Sequence, residues 1–380
     1  MIGKCKPAAT SKQEWLDIWR LPEESSIPEQ SKSKATLFWS AAVVITGILN
    51  RIFYKMTLQP MRNYVIVLAQ FQTFIYTVVY FSILFLKYKS GKVTKAEITN
   101  NNKRCLLAIG FTEAAALILG LMGAAMLPGV ILPLLQQSYL LWQILVNKLL
   151  LGKGLRPVEY LGASMVGAGV CFSAWPSKSG SAFAKASPVG ITLFTVSLFL
   201  LVFDTLAKEQ VFDEGEERHK RPLDVFVVNS FGSAYQAIFV ALLLPFYAAF
   251  KGIGLKQLPH YLMQGLRALM GMQPACGTDC SASPQLAATY ILMNLCYNVS
   301  VLSLLRTAGN VPMSLASSVL IPLTIWAFTW PWPYLDPTPA LGTHFLIGAS
   351  IMMSGLFVFN APLWRPLLSR SDRGQQEVLP

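Results

Sequence analysis

The chain is a series of long apolar stretches separated by short polar segments. Each stretch is close to the about 20 residues that a helix needs to cross a bilayer core of about 30 Å. Apolar residues are continuous within the stretches and do not alternate with polar ones, which favours helices over strands. The pattern predicts ten transmembrane helices, at residues 36–58, 64–86, 104–126, 128–150, 157–175, 188–207, 223–250, 285–306, 309–334 and 340–362.

The composition agrees with a membrane protein rather than a soluble one. Hydrophobic residues occupy 53% of the 380 positions and charged residues 13%, whereas soluble proteins carry about 25% charged residues. The net charge of +12 would suit a nucleic-acid-binding protein, but the Lys and Arg residues lie between the apolar stretches. We therefore predict an all-α polytopic membrane protein without a nucleic-acid partner.

The basic residues predict the orientation of the chain, because short cytosolic loops carry an excess of Lys and Arg. Ten helices place both termini on one side, and most of the 31 basic residues fall on that side, including those of segments 87–104 and 208–221. Both termini are therefore predicted to be cytosolic. The longest loop, residues 251–284, is predicted to be non-cytosolic.

Two stretches of small residues, 161–170 and 346–356, are similar to one another. Gly162-Ala163-Ser164 and Gly348-Ala349-Ser350 match, and the spacing from Gly162 to Gly348 equals that from Gly169 to Gly355. Each stretch falls in the last helix of a group of five. Because five is odd, two such groups must cross the bilayer in opposite directions, and inverted repeats of this kind are typical of transporters.

The predicted organisation follows from this repeat. It has a cytosolic tail at 1–35, a five-helix repeat at 36–175, a linker at 176–187, a second five-helix repeat at 188–362 that contains the 251–284 loop, and a cytosolic tail at 363–380. Residues 15–19 are expected to form either a short interfacial helix or part of a disordered tail. The acidic residues of the first tail are not typical of a transit peptide.

Ionisable residues inside the apolar stretches are costly, so each is a candidate functional residue. Arg51, next to Asn50, is predicted to face a central cavity, whereas Lys55 is predicted to reach the membrane interface. Glu113 is the single carboxylate of the third stretch, and Arg51 is its predicted partner. Glu113 then either binds solute or a proton, or belongs to a structural ion pair.

Asp204 lies near the end of the sixth stretch, and Lys208 follows four positions later. This spacing forms an ion pair along a helix without any further role. Asp204 also lies close to membrane depth, so a role in binding solute stays equally open.

Amide side chains form the second group of candidates. Gln70 and Gln72 point in different directions on the second helix, so one is expected to face the cavity and the other to bond a neighbouring helix. Gln136 and Gln137 follow Pro133, and a distorted turn there would present their amides to the cavity, unless they bond between helices. The eighth helix carries one polar stripe at helical spacing: Asn294, Tyr297 and Asn298.

The 251–284 loop carries two further features. Residues 256–270 are amphipathic and are predicted to lie along the membrane surface. Cys276 and Cys280 either close a small disulfide loop in an oxidising compartment or remain free thiols. The chain contains no known catalytic motif and its three His residues are scattered, so we predict neither an enzyme nor a metal or cofactor site.

Several segments resemble the chloroquine-resistance-transporter-like (CRT-like) family of the drug/metabolite transporter superfamily, and most of all its plant plastid CLT branch. These segments are 50–74 (NRIFYKMTLQPMRNYVIVLAQFQTF), 80–94, 134–163, 204–212, 224–246, 294–302 and 314–335. The resemblance implies a ten-helix carrier of the thiol peptides glutathione and γ-glutamylcysteine in the plastid envelope. Parasite relatives at the digestive vacuole move peptides and cationic drugs.

We therefore expect a secondary transporter that moves thiol peptides or similar small zwitterions by alternating access, with coupled protons as a further partner. One alternative is a vacuolar exporter of peptides, amino acids or cationic drugs. Another is a sugar-phosphate or nucleotide-sugar carrier, which must neutralise phosphates with Lys or Arg inside the spans. In the predicted spans Arg51 and Lys55 qualify, while Glu113 and Asp204 would repel such a substrate.

Overall fold

In the computed structural model the described residues are 29–152, 156–173, 186–220, 223–272, 279–308, 310–335 and 342–361. Every regular element in these ranges is helical. The predictions for residues 1–28, for the linker residues 176–185, for Cys276 and for the C-terminal tail lie outside them. The helices are α1 (Glu29–Met61), α2 (Val65–Lys89), α3 (Lys95–Thr99), α4 (Lys103–Ala125), α5 (Leu132–Gln136), α6 (Ser138–Leu151), α7 (Pro157–Ser173), α8 (Pro188–His219), α9 (Val225–Leu242), α10 (Leu244–Phe250), α11 (Leu258–Leu269), α12 (Ser283–Ala308), α13 (Asn310–Ala327) and α14 (Thr343–Phe359).

Seven helical segments in the described ranges are long and apolar enough to cross a membrane, so the chain is a polytopic membrane protein. They are Lys34–Met61, Val65–Lys89, Lys103–Ala125, Gly129–Leu150, Pro188–His219, Val225–Leu242 and Ser283–Leu305. Two shorter apolar helices, Leu315–Ala327 and Thr343–Phe359, fall in the ninth and tenth predicted stretches. The fifth predicted stretch holds α7. Crossing by all ten stretches stays a prediction.

Three predicted helices differ from the observed ones. The fourth is broken, because a turn at Gln137 separates α5 from α6. It also begins with a short 3₁₀ turn, Gly129–Ile131, just before Pro133, which lacks the backbone N–H that a continuous helix needs there. The seventh is broken at Leu243, just before Pro245. The sixth continues beyond residue 207 to His219, because residues 208–219 are polar helix formers that extend past the apolar stretch.

The similar stretches of small residues pack against each other. In α7 and α14, which share an extensive contact, a Cβ on Gly162 would lie 2.8 Å from the Gly355 carbonyl oxygen, and a Cβ on Gly355 would lie 2.8 Å from that of Gly162. Gly169 and Gly348 show the same reciprocal approach at 2.6 Å. The two helices are therefore antiparallel, and glycine lets their backbones touch.

Two other antiparallel pairs frame the centre of the molecule. Helix α4 packs along α8, and helix α1 packs along α12. Helices α2 and α9 pack on each other and, with the broken segment α5–α6, lie next to these pairs. A cavity lies between the two pairs.

Candidate substrate cavity

The central cavity has a volume of about 540 Å³, within the about 300–1,000 Å³ of typical small-molecule sites. Residues from α1, α2, α4, α5, α8, α9 and α12 line it. Its wall is mostly apolar, with polar side chains at Tyr54, Tyr76, Tyr80, Glu113, Gln136, Ser197, Lys208, Asn229, Ser233, Gln236, Asn294 and Asn298.

One end of the cavity lies near the end of α2 and the start of α9. Ile83, Val225 and Phe226 line this end. Lys87 Nζ lies 2.5 Å from Asp224 Oδ2 and 4.5 Å from the centre of the Phe226 ring. This ion pair connects α2 to α9 at the side that the basic residues predict to be cytosolic.

A charged wall, Glu113, Asp204 and Lys208, connects α4 to α8. Glu113 and Lys208 line the cavity, and the buried Asp204 does not. Lys208 Nζ donates to Glu113 Oε1 at 2.5 Å and to Asp204 Oδ2 at 2.8 Å. The predicted pairing of Asp204 with Lys208 is confirmed. The predicted pairing of Glu113 with Arg51 is wrong, because α4 packs along α8 and brings Glu113 to Lys208, whereas Arg51 contacts Thr324 of α13.

The charged wall has one more carboxylate than ammonium groups. The Asp204 side chain is 7% exposed, and its Oδ1 has no hydrogen-bond partner among the described residues. Buried charges are costly unless they are paired and hydrogen-bonded. With both carboxylates ionised, the wall carries one net negative charge and therefore favours an ammonium group or a proton.

An amide wall, Asn50, Asn294 and Asn298, connects α1 to α12 and includes the hydroxyl of Tyr76. Asn294 Oδ1 accepts from the Tyr76 hydroxyl at 2.7 Å and from Asn298 Nδ2 at 3.0 Å. Asn294 Nδ2 donates to Asn50 Oδ1 at 3.3 Å. Asn294 and Asn298 of the predicted polar stripe thus belong to one hydrogen-bonded, uncharged group, whereas Tyr297 packs beside Gly47 of α1 and does not line the cavity.

Arg51 and Lys55, the two cations of the first predicted helix, do not line the cavity. Arg51 Nη1 donates to Thr324 Oγ1 of α13 at 3.4 Å. Lys55 is 4% exposed, and its Nζ donates to the Ala124 carbonyl at 2.6 Å. Lys55 is therefore buried beside the end of α4, where the last carbonyls of a helix attract a cation, and its position relative to the membrane interface stays a prediction.

The four glutamines occupy different positions. Gln136 lines the cavity, and its buried Oε1 has no partner among the described residues, whereas Gln137 Nε2 donates to the Pro133 carbonyl at 3.3 Å. Gln72 is buried, and its Oε1 has no hydrogen-bond partner among the described residues. Gln70 is half-buried, and neither Gln70 nor Gln72 lines the cavity.

Sequence reasoning missed several lining residues. Asn229, Ser233 and Gln236 form a polar stripe at helical spacing on the apolar helix α9, a signal that was present in the sequence. Tyr76 and Tyr80 also lie one turn apart on α2. Their partners come from other helices, so no local pattern gives their role.

The described residues contain no group of three or more His, Cys, Asp or Glu side chains that could hold a metal ion. Cys280 is buried, and its Sγ donates to the Pro60 carbonyl at 3.7 Å. Because Cys276 lies outside the described residues, the disulfide between the two stays a prediction.

A bundle of spanning helices around a central cavity with several polar side chains is typical of membrane transporters. The particular family is CRT-like, chloroquine-resistance transporter-like, whose profile matches residues 36–359, so the chain belongs to that family. Protein CLT1, chloroplastic, of Arabidopsis thaliana is 38% identical over 88% of this chain and 74% of its own length. Protein CLT2, chloroplastic, of the same plant is 36% identical over 90% of this chain and 78% of its own length. The chloroquine resistance transporter of Toxoplasma gondii is 24% identical over 84% of this chain and 37% of its own length.

Proposed function

We propose that this protein is a secondary transporter that moves thiol peptides, such as glutathione and γ-glutamylcysteine, or similar small zwitterions across a plastid membrane by alternating access. The observation that carries the proposal is a cavity with a charged wall on one side and an amide wall on the other. A zwitterionic peptide offers ammonium, carboxylate and amide groups, and each has a complementary group here.

The charged wall, together with Gln136, offers binding partners for the groups of such a solute. Glu113 accepts from an ammonium group, Lys208 donates to a carboxylate, and Gln136 Oε1 accepts from a peptide N–H. Glutathione carries a net charge of −1 near neutral pH, and the wall also carries one net negative charge. A proton that enters with the solute removes this repulsion, so we propose that protons are coupled to transport.

The packing of α7 on α14 supports ten crossings arranged as two inverted five-helix repeats. Gly162 contacts Gly355, and Gly348 contacts Gly169. These two contacts are equivalent, because Gly348 corresponds to Gly162 in the repeat and Gly169 corresponds to Gly355. Reciprocal contacts between equivalent residues are what a two-fold axis produces. Because the helices are antiparallel, that axis lies in the membrane plane, as in transporters whose two halves exchange conformations.

A sugar-phosphate carrier is less well supported by the cavity. Lys208 is the single cation among the described lining residues, and a sugar phosphate has no ammonium group to bind the Glu113 carboxylate. The chloroplastic names of the plant relatives favour a plastid membrane over a vacuolar membrane as the location of this protein.

The test is uptake of labelled glutathione, γ-glutamylcysteine and arginine into proteoliposomes, with and without a proton gradient. We expect glutathione uptake to exceed arginine uptake and to respond to the gradient. Faster uptake of arginine than of glutathione would overturn the choice of substrate.

A matched pair of variants tests the cavity itself. Gln136→Leu removes an amide that lines the cavity, while Gln137→Leu removes one that bonds locally. We expect Gln136→Leu to raise the apparent KM for glutathione by about three- to tenfold, the cost of about one hydrogen bond, with Gln137→Leu close to wild type. Equal effects of the two would contradict the placement.

A further inference from the structure

Helix α11 (Leu258–Leu269) packs on the turn between α1 and α2, at the opposite end of α2 from the Lys87–Asp224 ion pair. The hydroxyl of Tyr261 donates to the Asn63 carbonyl at 2.6 Å, in the turn between α1 and α2. It also pairs with the Tyr247 hydroxyl of α10 at 3.2 Å, and its ring lies 5.2 Å from that of Tyr64. Burial raises the pKa of Tyr261 well above its usual range, so the hydroxyl stays a donor.

One glycine sets how closely α11 approaches the bundle. A Cβ on Gly265 would lie 2.6 Å from Val67 Cγ2 and 3.2 Å from Tyr64 Cβ. Any side chain larger than hydrogen therefore pushes α11 away from the start of α2. By contrast, a Cβ on Gly254 in the same loop would lie no nearer than 3.9 Å to any neighbouring atom, which is ordinary van der Waals contact.

The outward side of α11 is divided into two strips. Met263, Leu266 and Met270 form an apolar strip, with Met263 53% and Met270 64% exposed. His260 and Arg267 are exposed on the neighbouring polar strip. An apolar strip next to a basic strip, on a helix between two spanning segments, fits the boundary between lipid headgroups and acyl chains.

We propose that α11 is a membrane-seated latch: its outer strip lies in the lipid interface, and its inner face holds α1, α2 and α10 together so that this end of the cavity stays closed. The inference rests on the proposed alternating access, in which this end must open. The partner of the outer strip is the lipid interface, and the basic residues favour anionic headgroups.

The first test measures the lipid contact. In a background with the native cysteines replaced by serine, a polarity-sensitive fluorophore is attached at Met263→Cys or, as the control, at His260→Cys. In vesicles of phosphatidylcholine with phosphatidylglycerol, we expect blue-shifted emission and quenching by shallow lipid quenchers at position 263 and water-like emission at 260. Water-like emission at both positions would overturn the lipid seat.

The second test measures the latch without any substrate, so its result is separate from the choice of solute. Ser197→Cys places a thiol on the cavity wall, and a membrane-impermeant thiol reagent is applied from each side. We expect Gly265→Ala to raise the labelling rate from the α11 side severalfold, and Gly254→Ala to leave it unchanged. Tyr261→Phe, which keeps the ring, should act in the same direction. Unchanged labelling in both Gly265→Ala and Tyr261→Phe would overturn the latch.

Discussion

The charged wall and the amide wall have the same geometry and different chemistry. Each is a polar contact near the middle of an antiparallel helix pair, α4 with α8 in one case and α1 with α12 in the other. Under the proposed repeat the two pairs are equivalent. In the proposed function the charged wall exchanges a proton and selects the charge of a solute, whereas the amide wall offers hydrogen bonds that do not change with pH. If the chain is duplicated as proposed, equivalent helix pairs form both walls, and a few different side chains give the cavity its selectivity.

The largest effect is expected from Lys208→Met, which leaves Glu113 and Asp204 without their shared cation. Removing one partner of a buried ion pair lowers the free energy of unfolding by about 3–5 kcal/mol. Because Lys208 is partly exposed, we expect a loss at the lower end of this range. We expect a clear fall in the melting temperature of the purified protein and loss of uptake. The triple variant with Glu113→Gln and Asp204→Asn should regain much of the stability, and its failure to do so would show that Lys208 acts in another way.

A smaller effect is expected from Asn294→Leu on the amide wall. The change removes the acceptor of two hydrogen bonds, from Tyr76 and Asn298, each worth about 0.5–1.5 kcal/mol. We expect a rise in the apparent KM for glutathione of about tenfold, measured by uptake, with the response to a proton gradient retained. Loss of that response would mean that the two walls are not chemically separate.

The smallest effect is expected from Arg51→Gln. Arg51 reaches Thr324 through one long hydrogen bond and does not line the cavity. Glutathione KM should stay within about twofold of wild type, with at most a modest loss of thermal stability, and Thr324→Val should behave in the same way. A large rise in KM for Arg51→Gln but not for Thr324→Val would show that Arg51 binds the substrate.

Most of the fold was predictable because membrane-spanning helices need long apolar stretches, and those are visible in a single sequence. The break at Leu243 follows from the nearby Pro245, whose consequence is also local. The extension of α8 was not predicted, because hydropathy marks where a helix leaves the membrane and not where it ends.

The candidate site was predictable in its residue types and less so in its pairings. Polar residues inside apolar helices indicated Glu113, Asn294 and Asn298, which line the cavity. The partner of Glu113 depends on which helices pack together, and sequence spacing cannot give that. Lys55 shows the same limit, since its partner is the end of another helix.

The most direct test of the account compares Glu113→Gln with Glu217→Gln, an exposed carboxylate near the end of α8 that does not line the cavity. Uptake of glutathione is measured in proteoliposomes with and without a proton gradient, at equal amounts of reconstituted protein. Loss of one charge-assisted hydrogen bond, about 1.5–3 kcal/mol, should lower the apparent affinity of Glu113→Gln by roughly ten- to a hundredfold and remove the response to the gradient, while Glu217→Gln matches wild type. Wild-type affinity and a retained gradient response in Glu113→Gln would contradict a charged wall that binds the solute.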